Sequence, residues 1–292
     1  MAFSIITDSP ANLDTQLAKE NDIKVIPFTY SIDCKEYTCK NTADFNDKEY
    51  YDAIRNGMKV STSQITPQKY IAYMEEELKK GKDILFIGLS SGVSGSFDSA
   101  CMARKELIRK YPEREICLID SYGAGLGEGL LVYRAAKCRE NGMELGEVKA
   151  RILKIRKRMY QVFTVDSLMH LKRTGRLSNA SAVIGTVLNI KPLLKGNEQG
   201  KIVAFAKLRG RKQSIKAMAD KYEALARNPE GQVVGISHAD CEEDALYLKN
   251  LIEKINPPLE IMLVKHEPVT GSHIGPGALA LFFEGDEDVR EK

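Results

Sequence analysis

Short apolar runs followed by amphipathic stretches recur along this chain. "FSIIT" (3–7) leads into "NLDTQLAKEN", and "KVIPFTY" (24–30) follows. "DILFIGL" (83–89) precedes a stretch in which Phe97, Ala100, Cys101, Leu107, Ile108 and Tyr111 share one face at 3.6-residue periodicity. "EICLID" (115–120) precedes a helical pattern beginning near Leu126. Strand-length apolar runs alternating with amphipathic helices predict βαβ units and a largely parallel, Rossmann-like sheet, an α/β fold. Ser94 or Ser96 is the expected N-cap of the helix reaching Tyr111. Thr66-Pro67 marks a further start, a cap followed by proline in the first turn, with Ile71, Met74 and Leu78 as its apolar stripe.

The texture changes after about Glu144. A charged helix over 144–159 reads as a connector, and strands with shorter helices follow: "VFTVDSLMHL", "GKIVAFAKLRG", "QVVGISH", "LEIMLVKH". Two α/β domains are expected, 1–159 and 160–292.

Composition narrows the function classes. A net charge of +3, from 43 basic and 40 acidic side chains, without long basic runs, argues against nucleic-acid binding as the main task. "KIRKR" (154–158) reads as a solvated helix face. No apolar stretch nears the ~20 residues of a membrane span, and "MAFSIITDSP" lacks the pattern of a signal peptide. The six cysteines form no CxxC pair and show no metal-ligand spacing, which suits reduced thiols in a cytoplasmic protein and no metal site.

The loop "GLSSGVSGS" (88–96) is the main chemical candidate, placed where a strand of such a sheet ends. It lacks the lysine of a P-loop. "GAGLGEG" (123–129) fails the dinucleotide spacing, and "GVSGS" misses the nucleophile elbow by one register. The remaining readings are a helix cap or a hydroxyl-lined pocket for a carboxyl group, with Ser94 near a helix N-terminus. "STSQITP" (61–67) offers a second hydroxyl cluster before another helix. "KLRGRKQS" places Arg209 and Arg211 between a strand and a helix, and "TGSHIGPG" places His273 on a glycine-rich loop, where function is expected. His238 is a weaker candidate; His170 and His266 read as structural.

In order, "IITDSPANLD", "STSQITP", "LSSGVSGSFDSA", "DSYGAGLGEGLLV", "DSLMHLKRTGRLS", "IKPLL", "LRGRKQSI" and "HIGPGALALFF" resemble the bacterial DegV family over residues 3 to 284. The resemblance implies two α/β domains, the first with a largely parallel sheet and the second with a mixed one. It implies a buried long-chain fatty acid as ligand, no cofactor, and a non-catalytic carrier. The carrier presents the carboxyl group to a separate fatty acid kinase, and the acyl phosphate enters phospholipid synthesis. Transient membrane contact is compatible with that role. Carried over by motif, Thr62 and Ser94 bind the carboxyl, with Ser63 and Gly95 contributing backbone N–H groups. Arg209 and His273 handle the acyl phosphate. The usual SGT reads Ser94-Gly95-Ser96 here, which keeps the hydroxyl, and "QITP" replaces a more usual Gln-Pro-Ser run.

Under that reading the tail is expected along 162–171 and 182–194, and Lys172, Arg173 and Arg176 on a docking surface for the kinase. Two other classes remain open on the residues. One is a stand-alone transferase or hydrolase using Ser94 and His273. The other is a non-lipid binding module that docks a protein through 171–176.

Overall fold

A computed structural model describes residues 3–39, 45–178, 189–287 and 289–292. Strand β1 (Phe3–Asp8) is buried along its whole length. A 3-10 turn (Ser9–Ala11) and helix α1 (Thr15–Glu20) lead to β2 (Ile23–Ile26), parallel to β1. The single strand expected over 24–30 is broken. Pro27 has no N–H to continue a ladder, and the Phe28 N–H donates instead to Ser9 Oγ (3.0 Å). The chain then builds a small antiparallel sheet from β3 (Thr29–Ile32), β4 (Lys35–Thr38) and, after α2 (Asp47–Arg55), β5 (Val60–Ser63).

Thr66 caps α3 (Pro67–Leu78) through the Lys69 N–H, with Pro67 in the first turn, as the spacing predicts. β6 (Asp83–Gly88), α4 (Ser96–Lys110), β7 (Ile116–Asp120) and α5 (Leu126–Glu140) complete a parallel sheet in the order β2-β1-β6-β7. The order reverses between β1 and β6, so the loops after these strands diverge and leave a crevice at their carboxyl ends. Neither Ser94 nor Ser96 is the N-cap of α4. Gly95 holds that position, and Ser96 begins the helix.

The segment read as a connector is α6 (Leu145–Arg158). Its Leu145, Val148, Ile152 and Ile155 are buried against the same core as α5, so it is part of the packed body. The second half holds β8 (Met159–Thr164), α7 (Met169–Arg173), β9 (Ile190–Gly196), β10 (Ile202–Arg209), α8 (Arg211–Leu225), β11 (Val233–His238), α9 (Glu242–Ile255), β12 (Glu260–Lys265), α10 (Pro268–Ile274) and β13 (Leu279–Glu284). Its sheet is mixed, in the order β10-β9-β8-β13-β11-β12, with only β11 and β12 parallel. The fold is therefore α/β, with one parallel and one mixed sheet beside the small antiparallel one.

Helix α5 joins the two sheets. Its buried residues include Leu126, Leu130, Leu131, Val132, Ala135, Ala136 and Cys138, most of its circumference, and their core cluster also contains Met159, Val233, Ala280 and Phe282. A helix apolar on most sides must be covered on most sides. The crevice at β1 and β6 thus faces the second sheet. Among the described residues, no helix is long and apolar enough to cross a membrane.

Candidate functional site

Three segments converge on that crevice. Ser61, Thr62 and Ser63 of the "STSQ" cluster end β5, where side chains alternate between faces. Thr62 is half-buried, while Ser61 and Ser63 face solvent. The serine loop follows β6. Ser90 Oγ donates to the Gly200 carbonyl (2.9 Å), and a Cβ on Gly92 would lie 2.6 Å from Gly200 backbone atoms, so this loop abuts the β9–β10 turn. Ser94 Oγ donates to Ser96 Oγ (3.1 Å), which accepts the Ile65 N–H (3.2 Å) and ties the loop to the end of β5. Gly95 leaves room for Gln64, whose Oε1 would lie 2.5 Å from any Cβ there.

The third segment is α10. His273 does not sit on a glycine loop; it occupies the last turn of this helix, which Gly275 ends with φ 79°. Its Nε2 is 2.9 Å from Thr62 Oγ1, and its buried Nδ1 has no partner among the described residues. Burial pushes the His273 pKa down to about 4, and the charges of Arg176 and Arg173 push the same way, so the imidazole is neutral at pH 7.

Thr62, Ser94, Gly95 and His273 line one cavity of about 320 Å³, together with Gln64, Thr270 and the Arg176 guanidinium. Among the described lining residues there is no carboxylate. The cavity shares Val93, Ala124, Ile202, Thr270 and Ile274 with an inner chamber of about 70 Å³. Phe163, Ala280 and Phe282 give that chamber apolar walls, beside Gly123, Gly125, Gly196 and Gly200. A larger groove, about 460 Å³, runs beside β2, but its rim carries Lys80 and Glu77, already paired with each other (2.6 Å).

Not every expected residue arrives. The Ser63 side chain points to solvent. Arg209 ends β10 opposite Ile190, is exposed, and is not among the lining residues. Arg211 pairs with Asp244 (2.7 Å). The arginine that does line it is Arg176, whose guanidinium donates to the Val93 carbonyl (3.3 Å, from Nε) and to the Thr174 carbonyl. In sequence Arg176 lies in a basic cluster, "KRTGR", that reads as surface; Lys172 and Arg173 are indeed exposed, while the turn at Gly175 (φ 71°) carries Arg176 inward.

His266 lines the inner chamber, with Nε2 2.9 Å from Ser237 Oγ, and burial pushes its pKa down to about 3. His238 Nδ1 accepts the Cys241 N–H (3.3 Å). His170 packs beneath Gly275, where a Cβ would lie 2.4 Å from its ring. Of the tail segments, Phe163 reaches the chamber; residues 182–188 lie outside the described residues. All six cysteines are free. Among the described residues, no group of three or more His, Cys, Asp or Glu side chains is arranged to hold a metal ion.

The chain is similar to known proteins along almost its whole length. Residues 2–286 match the family described as "Uncharacterised protein, DegV family". A DegV domain-containing protein of Clostridium perfringens is 39% identical over 284 residues, covering 97% of this chain and 98% of that one. A DegV family protein from Thermus thermophilus, solved for its fatty acid binding, superposes with a TM-score of 0.88 at 26% identity, covering 98% of this chain and 100% of the other. A fatty acid binding DegV family protein from Streptococcus agalactiae gives 0.85 at 28% identity, covering 98% and 99%.

Proposed function

The chain belongs to the DegV family, and on that premise we propose that it binds a long-chain fatty acid and presents the carboxyl group to a separate fatty acid kinase. Thr62 and Ser94 hold the carboxyl oxygens, Gly95 and Ser63 contribute through backbone only, and Arg176 supplies the positive charge. The tail runs inward between the two halves, 1–159 and 160–292. His273 and the exposed Arg209 act once the head group is phosphorylated. Arg209 is reached by the acyl phosphate only when the head group stands at the surface in the kinase complex.

The observation that carries this reading is the change in polarity between two adjoining cavities that share five lining residues. The first offers hydroxyls, an imidazole and an arginine with no competing carboxylate among the described residues, and the second is largely apolar. A carboxylate finds donors at the first and an acyl chain finds burial at the second. Each buried methylene stabilises by ~0.8 kcal/mol, so about fifteen supply roughly 12 kcal/mol gross. Association offsets several kcal/mol of this. A charged hydrogen bond adds only ~1.5–3 kcal/mol. The tail therefore sets affinity, while the mouth selects an acid over an ester and fixes its orientation.

A stand-alone hydrolase is less well supported. Ser94 Oγ bonds Ser96 rather than His273, and among the described residues no carboxylate orients His273 Nδ1. The test is extraction of purified protein with organic solvent followed by mass spectrometry. A stoichiometric long-chain acid is expected. Protein that carries no acid and takes up no added oleate would sink the reading.

A further inference from the structure

The segment "TDSPAN" (7–12) does not line the mouth, yet Thr7, Asp8, Ser9 and Asn12 are all buried, Asp8 to 1% exposure. Each ties down something that does matter there. Asp8 Oδ2 accepts the N–H of Leu89, the first residue of the serine loop (3.2 Å). Thr7 Oγ1 donates to Glu128 Oε1 on α5 (2.8 Å). Asn12 Oδ1 accepts the Glu267 N–H (2.7 Å), and its amide donates to the Lys265 carbonyl (2.8 Å). Glu267 in turn caps α10, accepting the N–H groups of Val269 (2.7 Å) and Thr270 (2.6 Å).

Three fully buried acids thus stand between the two walls of the mouth. One grips the loop that carries Ser94, and another caps the helix that carries His273. Among the described residues, Asp8 Oδ1, Glu128 Oε2 and the Tyr70 hydroxyl find no partner outside this group, in which Asp8 faces both of the others. Two carboxylate oxygens cannot bond each other; a carboxyl that keeps its proton can donate to its neighbour.

We propose that Asp8, Glu128 and Glu267 are positioning residues for the carboxyl mouth, a buried cluster that sets the spacing between the serine loop and α10. The positioning role stands on the hydrogen bonds; only what the mouth holds rests on the fatty-acid reading. Burial pushes all three acids up, Glu267 to about 7; the Glu267 charge adds to the rise of Asp8 and Glu128, while the Thr270 and Val269 N–H groups and the Cys39 thiol draw Glu267 back down. The groups facing them are Tyr70 from α3, Tyr50 and Tyr51 from α2, and the Cys39 thiol, all raised by burial and uncharged near neutrality. Neighbouring His266 is neutral as well, and the Lys265 ammonium is engaged by Asp47 (2.8 Å). Among the described residues, then, burial governs the charge state of each acid, and Asp8 and Glu128 also feel the charge of Glu267.

The test uses the ligand-free full chain as wild type, Asp8→Asn and Glu267→Gln. Carboxyl NMR follows the Asp8 titration, and hydrogen exchange follows the Leu89, Val269 and Thr270 amides. Removing the Glu267 charge relieves repulsion, so Asp8 is expected to ionise lower by about half a pH unit or more in Glu267→Gln. Oleate affinity is expected to fall several-fold in each variant, with methyl oleate unaffected. An unmoved Asp8 titration in folded Glu267→Gln overturns the proposal; if Glu267→Gln does not fold, Asp8→Asn decides, where faster exchange of the α10 amides is expected and unchanged exchange overturns it. If wild type binds no oleate while Asp8 still responds, the positioning role stands and the fatty-acid reading fails.

Discussion

Thr62 Oγ1 and His273 Nε2 lie 2.9 Å apart although 211 positions separate them. One comes from an edge strand of the small sheet and the other from a seven-residue helix late in the chain. Their contact exists because α2 and the small sheet pack against α10. The Tyr50 hydroxyl donates to the Pro268 carbonyl (2.7 Å), the Tyr51 hydroxyl to the His266 carbonyl (2.9 Å), and Val269 is buried with Phe28 and Ile65.

Thr62→Val keeps shape and removes the hydroxyl. Oleate affinity should fall by about tenfold or more, given ~1.5–3 kcal/mol for a hydrogen bond to a charged group. Methyl oleate should bind the variant and the wild type equally. Calorimetry with both ligands checks this; equal losses for acid and ester would remove Thr62 from the head-group site.

The two arginines should separate by experiment. Arg176→Met should weaken binding of the acid, because this guanidinium lines the cavity. Arg209→Ala should retain the acid, because Arg209 does not, yet lose acyl-phosphate formation with a cognate kinase, as should His273→Ala. Lipid content and kinase-coupled turnover measured on the same preparations read both effects.

Ala280 is a small residue in the wall of the inner chamber. Ala280→Leu should fill it and shift preference toward acids shorter by about two carbons, at ~0.8 kcal/mol per methylene left unburied. Overpacking should also destabilise the fold by ~1–3 kcal/mol. Competition among acids of graded length, beside a melting curve, tests the two together.

The pH dependence has a definite sign. The folded-state pKa of His273 is depressed to about 4, so its contribution to stability is full above the unfolded value near 6.5 and is lost as pH falls toward 4. A bound carboxylate raises that pKa. Uptake of oleate near pH 5.5 should therefore bind a fraction of a proton more in wild type than in His273→Gln. Titration calorimetry in buffers of different ionisation enthalpy measures the difference; identical uptake would show that the imidazole does not face the head group. Above pH 7 the difference should vanish.

Much of the framework is legible along the chain. β1, β6 and β7 follow from apolar runs of strand length, α3 from its Thr66-Pro67 start, and α4 and α5 from their periodicity and placement. These signals are local, set by propensity, capping and the need to bury one face. Local rules also misplace some features. Reading 24–30 as one strand overlooks how Pro27 and the Ser9 hydroxyl divert the chain. Reading α6 as a connector overlooks a buried stripe that charged neighbours mask.

The sequence by itself determined the α/β framework, the serine loop at a strand end, and which residue types could hold a carboxyl group. Only the tertiary structure decided that Thr62 rather than Ser63 faces the cavity, that Arg176 rather than Arg209 reaches it, and that Asp8 and Glu267 share one buried cluster. The physical reason is range. Propensity and capping act over a few residues, whereas side-chain direction on an edge strand, the inward turn at Gly175 and the desolvation of an acid depend on segments far apart in the chain that meet only when both sheets close on α5 and α10.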